Sequence, residues 1–139
     1  MSPVVAAARQ WLGTPYQHQA SIIGIGCDCL GLVRGVWRAL MGPEPQSVPA
    51  YSPDWAEASA VETLLGAAQL YLQPVDGPIC AGQVLAFRWR DHLPVKHLGI
   101  ATSAHEMIHA HDGACVCEVP LHRAWRAKLV AQFIFPVKD

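Results

Sequence analysis

The segment GIGCDCLGLVRGVWRAL, residues 24–40, places Cys27 and Cys29 on either side of one aspartate, Asp28. Such a pair can clip a metal, join disulfides, or hold one nucleophilic thiol beside a bystander. Aspartate is a strong helix N-cap, and an apolar run with helical spacing follows it, so Cys29 is expected to open a helix. Its sulfur then lies near unpaired backbone N–H groups and the positive end of the helix dipole, a setting that favours thiolate. Cys27 precedes the cap and receives less of that field. A cysteine alone carries no assignment, because unpaired cysteines are most often small buried residues.

A nucleophilic thiol needs a base, and the base needs a third group to fix its tautomer. The stretch KHLGIATSAHEMIHAH supplies both. A hairpin turning near Ser103 sets His97 and His109 directly opposite each other on one face, with Cβ atoms about 4.5–5.5 Å apart. His111 falls on the same face as His109, farther along the strand. His18, His92, His105 and His122 stand in turns or polar contexts and read as ordinary surface residues. Asp112-Gly113 is a two-residue hairpin signal that pairs His111 with Ala114, Ala110 with Cys115 and Ile108 with Cys117. Cys115 and Cys117 then face away from His109, and as neighbours two apart on one strand they suit a disulfide poorly. A zinc site from Cys27, Cys29, Cys115 and Cys117 has the wrong spacing, one intervening residue where zinc loops use two to four. No metal and no cofactor are expected.

The elements that must position these groups follow from periodicity. Ser2 and Pro3 open a helix running to Leu12, ended by Gly13 and Pro15. Cys29, Leu32, Val33, Val36, Trp37 and Leu40 form one buried helical face, stopped by Gly42 and Pro43. The proline-rich GPEPQSVPAYSP (42–53) is an extended connection. Ser52 and Pro53 start a third helix with an apolar stripe through Leu72. After the loop QPVDGPICAG the period falls toward two, giving strands QVLAFRW, VKHLGIAT, EMIHAH, CVCEVPL and KLVAQFIFP. Helices first and strands afterwards predict an α+β domain with an antiparallel sheet.

With 139 residues the chain suits a single domain, 1–139, large enough to bury a core without staples. A net charge of -1 with only 15% charged residues offers no nucleic-acid stripe. The N-terminus lacks a basic leader and no apolar run spans a bilayer, so a soluble, cytoplasmically made product is expected, with no membrane insertion. Five cysteines without a leader argue against a disulfide framework.

LGTPYQHQ (12–19), GCDCLGLVRG (26–35), GQVLAFRW (82–89), HLGIA (97–101) and MIHA (107–110) together resemble the NlpC-type cell-wall peptidases, in particular their phage-tail subgroup. The resemblance runs in order along nearly the whole chain. It implies a papain-like domain with the nucleophile at a helix N-terminus, packed on a five- to six-stranded antiparallel sheet. Carried onto this chain, it makes Cys29 the nucleophile, His97 the base and His109 the orienting group. Tyr16 and Asp28 would position substrate or support the oxyanion, beside the Cys29 backbone N–H. Cys27 stands where the family has an apolar residue and reads as packing. Leu30 stands where many relatives have serine, a change shared with the phage-like branch.

The implied substrate is the peptidoglycan stem peptide, at the bond between the D-glutamate side-chain carboxyl and a diamino acid. Delivery would be by a phage-like tail tip or baseplate, with action in the periplasm; the particle could be a virus or a gene transfer agent. Two rivals stand beside this reading. One is a mainly structural tail-tip subunit that keeps the peptidase fold. The other is an acyltransferase of the thiol superfamily, ranked low because those relatives place histidine before cysteine.

Overall fold

A computed structural model describes residues 2–44 and 63–136. Helix α1 (Pro3–Arg9) is capped by Ser2, whose hydroxyl accepts from the Val5 N–H at 3.3 Å, and Pro3 occupies its first turn. It stops short of the expected Leu12. Trp11 and Leu12 donate to carbonyls three residues back, tightening the chain into turns before Gly13 takes φ +88°. A small hairpin follows, β1 (Ser21–Ile22) against β2 (Gly26–Cys27), and leads into α2 (Cys29–Met41).

Helix α2 begins and ends as its sequence predicts. Asp28 caps it and Gly42, at φ +89°, ends it. Its two interior glycines are there for contact: a Cβ at Gly31 would overlap the Ala20 carbonyl oxygen, and one at Gly35 would overlap the Trp11 indole. The helix therefore lies directly against the loop before it and against the end of α1. Helix α3 (Thr63–Tyr71) matches the second half of the expected third helix, whose start lies outside the described residues.

The remaining elements are β3 (Gln73–Val75), β4 (Val84–Phe87), β5 (His97–Ala101), β6 (Glu106–His109), β7 (Cys117–Pro120), α4 (Arg123–Lys128) and β8 (Leu129–Ile134). They form a six-stranded sheet in the order β3-β8-β4-β5-β6-β7, antiparallel throughout. All five expected strands are present. The loop expected at QPVDGPICAG contributes a further strand, β3, at the sheet edge, where Pro74 costs no ladder bond to an outer neighbour.

Alternation along the strands builds two cores. Val84, Ala86, Leu98, Ile100, Ile108 and Ala110 face α1, α2 and α3, where Leu32, Val33, Val36 and Leu64 complete the larger core. Leu85, Phe87, Ala101 and Met107 face the other way, with Leu121 and Trp125 of the α4 region packed over them. The fold is α+β, with the helical layer on one face and a short helix on the other. Among the described residues no helix is long and apolar enough to cross a membrane.

Candidate active site

Asp28 organises the entrance to α2. One carboxylate oxygen accepts from the Gly31 N–H at 2.7 Å, and the other accepts from the Gln19 N–H at 2.7 Å. Gln19 has φ +65°, a conformation costly for a non-glycine residue. The buried carboxylate thus holds both the helix cap and a strained loop residue. Each Asp28 oxygen accepts one backbone N–H, so the side chain fixes the start of α2 and the loop before it. His18, read from sequence as an ordinary surface residue, instead approaches this group, its Nδ1 4.0 Å from Asp28 Oδ2.

Cys29 is the first residue of α2, as expected, and the backbone groups of Leu98 and Leu30 act on its sulfur to favour the anion. The expected thiolate is not what this environment favours. Burial, followed by the Asp28 charge, pushes the Cys29 thiol up to about 12, and the two backbone donors only partly oppose this. Helix-dipole reasoning omitted the cost of desolvating the anion. Cys27 is fully buried in the core, and burial followed by the Asp28 charge raises it to about 12.

The histidine pair forms, by a register different from the one expected. Ile100 pairs with Ile108 and Ala101 with Met107, so the turn spans residues 102–105 and the ladder is displaced by two residues from a turn centred at Ser103. An even displacement preserves the face, which makes His97 and His109 diagonal neighbours rather than opposed ones. Their rings still meet: His97 Nε2 lies 2.8 Å from His109 Nδ1. The next hairpin departs by one residue, with His109 opposite Cys117 and Ile108 opposite Glu118. Cys117 therefore shares the face of His109 instead of turning away. The cause is non-local. Residues 114–116 pair with 13–16, through Gly13 N–H to Val116 O, Val116 N–H to Thr14 O and Tyr16 N–H to Ala114 O, and so leave the β6 ladder.

Burial, reinforced by His109 and His111, holds His97 well below the usual histidine range. Burial and His111 bring His109 down to about 4. Both rings are neutral at pH 7. Trp89 and Trp125 stack on His97 with ring centroids 5.6 Å away, and Trp125 meets the His109 ring edge-on at 5.4 Å. Sequence reasoning missed both tryptophans. Trp89 ends a recognised strand, but Trp125 sits on α4, a six-residue helix too short to show a period.

Cys29, His97, Tyr16, Asp28, His18, Lys96 and His111 line one cavity of about 300 Å³. His109 stands behind His97. Burial, then Asp28 and Cys29, push the Tyr16 hydroxyl up to about 12, so it remains a hydrogen-bond donor into the cavity. The five cysteines are free thiols, and among the described residues the metal-competent cluster is His97, His109 and His111, with no cysteine in it.

No protein-family model matches the sequence, and no curated protein does. Solved structures match its fold. The structure of a lipoprotein-like NLP/P60 family protein from Staphylococcus aureus superposes with a TM-score of 0.60 at 19% identity, covering 98% of this chain and 41% of that one. An NlpC/P60 family protein from Bacillus cereus gives 0.67 at 18% identity, over 96% of this chain and 39% of that one. The NlpC/P60 domain of the peptidoglycan hydrolase SagA gives 0.60 at 22% identity, over 96% of this chain and 98% of the domain. The chain thus spans about two fifths of the first two proteins and nearly all of the third. It has the fold of these NlpC/P60 structures.

Proposed function

We propose that this chain acts, as one domain over residues 1–139, as a cysteine endopeptidase on peptidoglycan stem peptides, with Cys29 as nucleophile, His97 as base and His109 as orienting group. The observation that carries the reading is the 2.8 Å contact between His97 Nε2 and His109 Nδ1 beside a cavity that Cys29 and His97 both line. If His97 carries its proton on Nε2 and donates it to His109 Nδ1, its Nδ1 is left as an acceptor for the thiol proton. Because the resting thiol and imidazoles are neutral, proton transfer accompanies attack on the substrate carbonyl. The sulfur bonds to the carbonyl carbon, and the Cys29 backbone N–H and the Tyr16 hydroxyl receive the developing oxyanion. His97 then returns the proton to the departing amine, and water releases the acyl group from sulfur.

The bond favoured is the one joining the D-glutamate side-chain carboxyl to a diamino acid. Delivery by a phage-like tail and action in the periplasm belong to the same reading, supported by the resemblance of the five sequence segments to the phage-tail subgroup and by Leu30, a residue shared with its phage-like branch. Purified protein should solubilise isolated sacculi, and Cys29→Ala should abolish release; undiminished release by that variant would defeat the assignment.

A second reading, a mainly structural tail-tip subunit, is favoured by one feature. The β1–β2 hairpin exposes Ile22, Ile23 and Ile25, the last at 67%. Such a tip suits a protein partner. Failure of sacculus hydrolysis together with loss of particle assembly in Ile25→Asp would select it.

A further inference from the structure

The mechanism leaves His111 unused, yet this side chain completes a cluster with the two histidines that the mechanism needs. One ring nitrogen from each of His97, His109 and His111 lies within 4.8 Å of the others. The His109 and His111 rings lie nearly parallel, centroids 5.6 Å apart, and His97 stands edge-on to both. The exposed His111 closes the cluster on its solvent side, while His97 and His109 are buried.

From this geometry we infer a binding site for a borderline divalent transition-metal ion of the zinc class, held by His97, His109 and His111, whose occupation switches the thiol site off. Imidazoles suit zinc, and three of them with one open position form a known coordination pattern. Tetrahedral zinc with bonds near 2.0–2.1 Å requires ligand nitrogens roughly 3.3 Å apart. The His97–His109 pair, at 2.8 Å, needs to open by only about half an ångström. The third nitrogen is brought in by a rotation of the exposed His111.

The consequence for catalysis follows from the tautomer. The ion takes the place of the proton shared between His97 Nε2 and His109 Nδ1. A neutral imidazole bound to metal through Nε2 carries its proton on Nδ1, the atom that must accept the proton of Cys29. Metal occupation therefore disables the base without covering the sulfur. The inhibitory half of this inference rests on the peptidase reading; the binding half does not.

Two measurements separate these halves. First, Cys29→Ser protein, which lacks the reactive thiol, is titrated calorimetrically with Zn²⁺, beside the double variant Cys29→Ser/His111→Ala and with Mg²⁺ as control. One Zn²⁺ per chain, weakened at least 10-fold by loss of His111 and unmatched by Mg²⁺, supports the site. Equal zinc affinity with and without His111, or no zinc binding, overturns it. Co²⁺ absorption bands of tetrahedral type, present in Cys29→Ser and lost in the double variant, report the imidazole ligands directly. Second, sacculus hydrolysis is measured as the ratio of rates with and without Zn²⁺. The inhibitory concentration should rise at least 10-fold in His111→Ala; an unchanged value overturns the inhibitory mechanism. Should wild-type protein show no hydrolysis at all, the peptidase reading fails while the titration still decides the metal site.

Discussion

The tip of α2 and the β5–β6 ladder meet at one cavity, but they are held by different interactions. The helix tip is fixed within a short stretch of chain: Asp28 binds the Gly31 and Gln19 N–H groups, and Gly31 admits the Ala20 carbonyl. The histidines are fixed at a distance, by strand register, by the pull of residues 13–16 on 114–116, and by indoles from β4's end and α4. Local capping sets where Cys29, the proposed nucleophile, is. Tertiary packing sets what His97, the proposed base, can do.

The largest expected effect breaks both sides at once. Cys29→Ala should lower turnover by roughly 10³-fold or more. Cys27→Ala, two residues away, should keep turnover and lose about 1 kcal/mol of stability as a small buried cavity. Sacculus release and urea unfolding read the two. On the ladder side, His109→Ala should lower kcat by roughly 10²–10³-fold with little change in KM, since it removes the group that orients the base. An unchanged kcat would reduce His109 to a packing residue.

Breaking the helix tip alone calls for Gly31→Ala. The added methyl meets the Ala20 backbone rather than a flexible side chain, and the expected cost is about 1–3 kcal/mol by urea denaturation. The comparison sharpens further in Asp28→Asn. Since the Asp28 charge is the second cause raising Cys29, its removal should move the thiol's apparent pKa downward in alkylation profiles. No movement would remove the Asp28 charge from the causes and leave burial as the dominant one.

The smallest effect concerns pH and stability. His109 titrates at about 4 in the folded chain against about 6.5 when unfolded, so between these values the unfolded state binds the extra proton. Stability should therefore fall as pH drops from 6.5 toward 4, where the His109 share of the loss is complete while buried His97 continues it. His109→Gln should flatten that slope in thermal melts; an identical slope would assign the loss to other groups.

What sequence could show divides along the same line. Asp28 as cap, Cys29 as first helical residue, Gly42 as stop and the five main strands rest on short-range pattern, and they are where they were expected. The shared face of His97 and His109 was legible because alternation survives a two-residue register change. The one-residue departure at Cys117 was not, because it depends on a segment a hundred residues earlier in the chain. Edge strand β3 hid behind Pro74, and the short α4 hid Trp125. The thiol's elevated pKa was invisible for a related reason: a cap is written locally, whereas burial belongs to the assembled fold.

The most direct test is to incubate the protein with a stem peptide containing the D-glutamyl–diamino acid bond, quench in acid, and map the acyl adduct by peptide mass spectrometry. A thioester on Cys29, absent from Cys29→Ala along with peptide cleavage, is the expected result. Cleavage that persists without Cys29, or an adduct on Cys27 instead, would contradict the assignment.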